Sequence, residues 1–382
     1  MKTVAAPRFL HRPKGRLRSY DSASQWQLVW WRFKRHRLAM LGLAVLGLMV
    51  LAGLFSGFIA PYASGTRTAD YLNGPPTPIR FVDSEGRFHL RPFIYGRKIE
   101  RDPVTLRLLT TPDFDQIVPI EFFVHGQEYE FWGLFPTNLH LFGTDSVTIH
   151  LFGTDSIGRD LFSRTLYSTR VSLSVGAVGV LIAFILGSII GGIAGLYGGL
   201  IDSVIMRLIE FIRSVPTLPL WMALSAAVPR TWTPLQTYLA ITVILALIGW
   251  TWLARTIRSK LLAVRNEEFV IAARLSGCTD ARIIGRHLLP SFMSYLIVDM
   301  TIAFPEILLA ETALSFLGLG LREPVESWGV LLFAAQNVRS IAHTPWLLIP
   351  GIFVVLAVLA FSFVGDGLRD AADPHAKGGS VR

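Results

Sequence analysis

Apolar residues along this chain gather in six long runs, at 38–60, 171–197, 203–228, 236–254, 291–317 and 346–364. A helix that crosses about 30 Å of hydrocarbon needs about 20 residues. Each run therefore predicts a membrane-spanning helix, where the core helices of a large soluble protein would be shorter and less evenly apolar. The first run, 23 residues behind a basic segment of 37, exceeds the apolar core of a secretory signal and is expected to be a retained anchor. The pattern breaks twice: once into a polar stretch of about 110 residues after the first run, and once into a charged, helix-forming stretch at 267–290.

The long polar stretch exceeds what a structureless connection inside a compact protein usually spans, so it predicts a small β-rich subdomain. Segments 79–95 and 120–132 read as hairpins, each with aromatic and β-branched arms about a glycine-containing turn. Near its end HLFGTDS occurs at 140–146 and again at 150–156, too short an array for a solenoid and read as a local duplication near a turn.

The 267–290 stretch, EEFVIAARLSGCTDARIIGRHLLP, predicts a helix with Phe269, Ala272, Ala273 and Ser276 on one face. Gly277 suits its end, because glycine adopts the left-handed conformation without a Cβ clash. Asp280 or Thr279 then caps a second helix, Ala281 to Leu288, and Pro290 fits the first turn of the following span. Such a helix–bend–helix either enters a groove on another protein or lies on lipid headgroups; the residues alone leave both open.

Composition adds direction. The chain is 52% hydrophobic with mean hydropathy +0.48 and net charge +9. Ten Lys and Arg fall in 1–37 and seven in 255–290, against Arg230, Arg322 and Arg339 in the short loops of opposite sidedness. Basic residues favour the cytoplasmic side, so both termini and 267–290 are expected there and 61–168 outside. The positive balance is thus a signal of topology, with no call for nucleic acid. Cys278 is the only cysteine, which excludes an intrachain disulfide and cysteine-rich metal sites.

Within the spans, Gly187, Gly191, Gly195 and Gly199 recur every fourth residue and predict close helix packing. Glu210 and Arg213, three apart, either pair with each other or contact a bound substrate. Pro216 and Pro219 predict a break or kink in that span. Asp299 and Glu306 lie two turns apart on one face, about 10 Å along the axis, beside Pro305. Both are expected to line a polar passage, facing either a cationic solute or polar groups of another protein.

Motifs then narrow the family. Ala272, Ala273, Gly277, His287, Leu289 and Pro290 stand as in the EAA loop of permeases from binding-protein-dependent ATP-binding cassette importers, which the stretch resembles. Ile271 replaces the usual Glu there, while Glu267 and Glu268 supply acidic side chains nearby. LFGTDSIGRDLFSRTLYSTRVSLSVG at 151–176 resembles the GTDxxGRD signature of the dipeptide and oligopeptide group, with Ser168 for a common Gly. MRLIEFIRSVPTLPL, ETALSFLGLG, Trp328–Gly329 and VGDGLRDAADP resemble that group's C-type subunit, and the long insert resembles the microcin C-type peptide subgroup in length and placement.

The resemblance implies an all-α polytopic permease of six spans with a β-rich periplasmic insert, in a bacterial inner membrane. Its expected parts are a basic arm at 1–37, a first span at 38–60, the insert at 61–168, a permease domain at 169–370 and a tail at 371–382. It implies a second, B-type permease, two ATP-binding subunits or domains, a periplasmic substrate-binding protein, a peptide-like substrate and surrounding lipid. Phe122, Tyr129 and Trp132 either touch that binding protein or fill the insert's core, and core packing is expected for most of them. The chain has no G-x-x-x-x-G-K-[ST] loop, so ATP and Mg belong to partner subunits and no enzyme activity is expected here. A rival of another class is a proton-coupled transporter using Asp299, Glu306 and Glu311.

Overall fold

The computed structural model describes residues 25–101, 108–336 and 342–372. The expectations for the basic arm before residue 25 and for the tail after 372 lie outside the described residues.

Helices form where the apolar runs predict them, with ends set by capping. A short helix α1 (Gln25–Phe33) precedes α2 (Arg37–Leu54), which starts where His36 Nδ1 accepts the Ala39 N–H at 3.1 Å. α3 (Leu161–Tyr197) begins ten residues before its apolar run, because the Asp160 carboxylate caps it by accepting the Ser163 N–H at 2.7 Å. α6 (Pro234–Val264) starts on a reciprocal Thr233–Gln236 capping box with proline in its first turn. α8 (Met293–Phe316) carries Pro305 in its interior, the short α9 (Trp328–Phe333) follows, and α10 (Ile349–Ala372) ends the described chain.

Among the described residues, five helices are long and apolar enough to cross a membrane. The run at 203–228 differs: it is split into α4 (Gly199–Ser214) and α5 (Thr217–Ala226), with Val215 and Pro216 extended at ψ 132° and 129°. The cause is the one the prolines predict. Pro216 clashes with a helical Val215 and lacks an N–H to continue the ladder.

α3 and α6 lie along each other through the predicted glycines. A Cβ on Gly187 would lie 2.9 Å from Leu253 Cβ, on Gly191 2.5 Å from the Ala254 carbonyl oxygen, and on Gly195 2.6 Å from Leu261 Cβ. Gly199 does not belong to this face. It follows the Gly198 bend at φ +58°, opens α4, and has open space around its missing side chain. Around the pair, Val175, Val180, Ile241, Leu245, Phe304 and Ile307 form the central core, while Phe33, Ala39, Leu46, Ala360 and Val364 join α1 and α2 to α10.

Two antiparallel sheets sit between α2 and α3 in sequence: β1 (Arg80–Val82), β2 (Phe88–Arg101) and β3 (Leu108–Pro119) in that order, and β4 (Glu121–Phe131) with β5 (Phe135–Gly143). The hairpin expected at 79–95 is β1–β2. Asp83 closes its turn by accepting the Glu85 and Arg87 N–H groups, and the His89 ring beside it, with further hydrogen bonds from Arg87 and Glu85, holds its carboxyl well below the usual range. The hairpin expected at 120–132 is instead the single strand β4, paired with β5. Gly126 is no turn; the ladder shifts register there, and a Cβ on Gly126 would lie 2.7 Å from the His140 ring. The two HLFGTDS copies diverge in use: the first completes β5, the second turns the chain into α3.

Candidate functional site

The charged stretch after α6 folds as an elbow. Glu267 is extended (φ −68°, ψ 150°) and opens α7 (Glu268–Leu275). Gly277, at φ +74°, ends it: its N–H donates to Arg274 and the next N–H, of Cys278, donates to Ala273 at 3.1 Å. The second helix departs from expectation. After one turn, Asp280–Arg282, the chain widens into π-helical turns over Ile283–Leu288. Neither Thr279 nor Asp280 caps it with a side chain; the Asp280 carboxylate instead accepts the Tyr197 hydroxyl at 2.6 Å, tying the elbow to the end of α3. Pro290 sits in the short turn Leu289–Ser291, and Phe292 (φ −127°) separates it from α8.

The elbow has two faces. Val270, Ala273, Ile283 and Leu288 are buried with Leu196, Leu253, Ile257, Leu261 and Leu296, so one apolar cluster holds the elbow to α3, α6 and α8. Ile284 adds a contact onto α3 at Gly192, where a Cβ would sit 3.1 Å away. Outward point Glu267, Glu268, Phe269, Ala272, Ser276 and Gly277, with Leu275 85% exposed. Ala273, expected on the outer face, is turned inward; a helical step of 100° from Ala272 takes it there. His287 and Leu289 are half-buried and Pro290 is exposed. The inner face is thus close-packed against the ends of those helices.

A cleft of about 1000 Å³ opens among α1, α4, α6, α8 and α10. Asp299 and Glu306 both line it, as their spacing predicts, together with Arg32, Arg213 and Arg369. Trp252 and Tyr295 complete its aromatic wall. One carboxylate oxygen of Asp299 has no hydrogen-bond partner among the described residues. Glu210 and Arg213 do not pair. Glu210 accepts instead from Arg207 at 3.1 Å, which is equally three residues away, while the Arg213 guanidinium lies 5.6 Å from the Trp252 ring, facing the cleft. Glu311 lies outside the cleft lining, fully buried, with its Oε1 accepting the Ser315 and Ser327 hydroxyls at 2.7 Å each.

At the opposite end of the bundle a charge cluster appears that no reading of single spans had isolated. Arg164, 4% exposed, donates Nη1 to Asp155, Nη2 to Glu323 and Nε to Glu326, at 2.7, 2.8 and 2.7 Å. Arg159 bridges Asp155 and Glu323 as well. The Arg159 and Arg164 partners hold the Glu323 carboxyl below its ordinary pKa, whereas burial pushes Glu326 up against the pull of Arg164. His150 joins through Nδ1 to the Asp160 cap at 2.9 Å. Asp155, Arg159 and Asp160 are the charged letters of the GTDxxGRD motif, so the signal was present in the sequence; its partners Glu323 and Glu326 lie too far along the chain to be inferred.

Of the three aromatics singled out in the insert, Tyr129 is half-buried and donates its hydroxyl to the Leu139 carbonyl. Phe122 and Trp132 are 58% and 48% exposed, so core packing does not account for them.

The family model for the “Binding-protein-dependent transport system inner membrane component” matches residues 185–378, and that for the “N-terminal TM domain of oligopeptide transport permease C” matches 24–76. A dipeptide transport system permease protein of Bacillus subtilis is 42% identical over 245 residues, 63% of this chain and 71% of that protein. The oligopeptide transport system permease protein of Escherichia coli K12 is 39% identical over 236 residues, 62% and 72% of the two chains. Among solved structures, an inward-facing MetNI methionine ABC transporter aligns with TM-score 0.43 and 19% identity, covering 55% of this chain and 97% of that one. With half its length matching the first family model, and relatives named as dipeptide and oligopeptide permeases, the chain belongs to the family of inner-membrane components of binding-protein-dependent transport systems.

Proposed function

We propose that this chain is the C-type permease subunit of a peptide-type ABC importer. With a second permease it forms the path for peptides or peptide-like compounds, and separate subunits hydrolyse ATP. The observation that carries this reading is the elbow: an exposed face on α7 that sets Ala272 and Ser276 beside Phe269 and Leu275, backed by a cluster shared with three long helices. Nucleotide-driven closure of a partner onto that face would favour one of two bundle arrangements and open the cleft alternately to each side. In this reading the elbow and both termini are cytoplasmic, the sheets are periplasmic, and α4 with α5 forms a sixth, broken span. ATP and Mg reside on the partners. The assignment to microcin C-type cargo rests on the insert's length and placement alone.

The test is Ala272→Arg, which puts a long charged side chain on the exposed face without entering the core. Uptake and binding-protein-stimulated ATP hydrolysis should fall at least about tenfold, the effect of losing ~1.4 kcal/mol of docking, while the chain is still made and inserted. Gly285→Ala, in open space, should leave both unchanged. Normal uptake by the Ala272→Arg transporter would overturn the reading.

For the cleft, Asp299 and Glu306 are proposed to receive cationic groups of the cargo. A carboxylate at that depth is tolerated where it is wet or paired, and it attracts positive charge. The double variant Asp299→Asn, Glu306→Gln should raise the half-saturating concentration for lysine-containing peptides and leave neutral peptides nearly unaffected. Undiminished uptake of the cationic peptides would end that assignment. The proton-coupled rival loses a member here, since Glu311 is sealed among serines away from the cleft.

A further inference from the structure

The β4–β5 hairpin ends in Phe131–Trp132–Gly133–Leu134–Phe135–Pro136, a tip without a charged residue. Trp132 and Gly133 take positive φ, 56° and 70°, turning the chain so that Trp132, Leu134 and Phe135 stand 48%, 71% and 62% exposed. A water-facing tip gains nothing from three large apolar side chains held outward.

Its position identifies what covers it. The Trp132 indole N–H donates to the Leu54 carbonyl at 3.0 Å, the last residue of α2. Phe55, just past that helix end, lies against Phe131 and Trp132 with centroids 5.7 and 6.1 Å apart. Eighteen residues of α2 rise about 27 Å, close to the hydrocarbon thickness, so Leu54 lies at one edge of the bilayer. The flank of α2 is itself exposed and apolar through Leu48, Leu51 and Leu54. The tip extends this lipid-facing flank without a polar interruption. An indole with its N–H satisfied at a helix end and its ring outward is the arrangement of residues that sit at headgroup depth.

We infer that the tip of the β4–β5 hairpin is a membrane-interface anchor: Trp132, Leu134 and Phe135 enter the headgroup–acyl boundary of the leaflet at the α2 end. The insert is joined to the helices through His140 at Ala60 and Phe142 at Phe162, and lipid at its tip adds a further hold that keeps the hairpin against the bilayer. The inference rests on α2 crossing the membrane and on no assumption about cargo.

The experiment places an environment-sensitive fluorophore at Leu134→Cys in a chain whose Cys278 is changed to Ser, within the assembled transporter in nanodiscs. Doxyl groups near the lipid headgroup should quench it, and aqueous iodide should not. A label at Glu85→Cys, on the exposed β1–β2 turn, should show the reverse, and a label at Leu48→Cys should be quenched by deep doxyl groups. Iodide quenching at Leu134, or protection from both quenchers, would overturn the anchor, the second result by showing a protein cover. Absence of lipid quenching at Leu48 would instead remove the placement of α2, and the anchor with it.

Discussion

Replacing Arg164 with methionine is expected to lower the stability of the subunit by about 3–5 kcal/mol, the penalty for removing one partner from a buried ion network. The three carboxylates around it approach from three directions, and each takes a different guanidinium nitrogen. Asp155 and Arg164 are 4% exposed and Glu326 11%, so water cannot reach those two carboxylates without opening the loop that follows α8, whereas Glu323, 49% exposed, can be rehydrated. Arg164→Lys should recover only part of the loss, because one ammonium cannot reproduce a planar fork with three separate acceptors. Glu326→Gln should be milder, since burial already disfavours its charge. Thermal unfolding of the purified transporter checks the order. A melting temperature unchanged in Arg164→Met would show that the cluster is hydrated and structurally idle.

Gly191→Val should be of similar severity for a different reason. The neighbours of a new Cβ are backbone: the Ala254 oxygen at 2.5 Å, its Cα at 2.8 Å and its carbonyl carbon at 3.0 Å. No rotamer change relieves such a clash, so α3 and α6 must separate along a stretch already held by Gly187 and Gly195. Overpacking costs about 1–3 kcal/mol where side chains can yield, and a rigid helix backbone sets the upper end of that range. Loss of folded protein in detergent, read by size-exclusion profile and melting temperature, is the expected result. Gly47→Ala, in α2 with nothing within 4 Å, is the control and should lose nothing. Wild-type stability in Gly191→Val would contradict the close approach.

Much of the architecture could be read from local pattern. Runs of about 20 apolar residues marked the long helices, the four-residue glycine period marked the α3–α6 face, and Pro216 marked the split. Failures occurred where two local solutions were equal or where the deciding partner was distant. Glu210 has an arginine three residues away on either side, and Arg213 turns instead toward Trp252, from another helix, in the cleft that it shares with Glu306. Gly126 looked like a turn because no local feature reveals His140 packed against it. Ala272 and Ala273 are adjacent small residues, and which of them faces inward depends on the cluster behind α7. The cleft's carboxylates were found because seven residues bring side chains to one helical face; the Arg164 network was missed because Glu323 and Glu326 are more than 150 residues away.

The split between α4 and α5 has one more consequence. In the proposed topology α4 and α5 form one broken span, so the gap falls inside the bilayer, where Arg213 beside it lines the same cleft as Glu306 of α8. Residues 213–219 are exposed on this chain, and the helical ladder is interrupted across Val215 and Pro216. Hydrocarbon cannot hydrogen-bond the peptide groups bared there. A solitary copy dissolved in lipid would strand them, so at this seam company is compulsory, either another polypeptide or a thread of water.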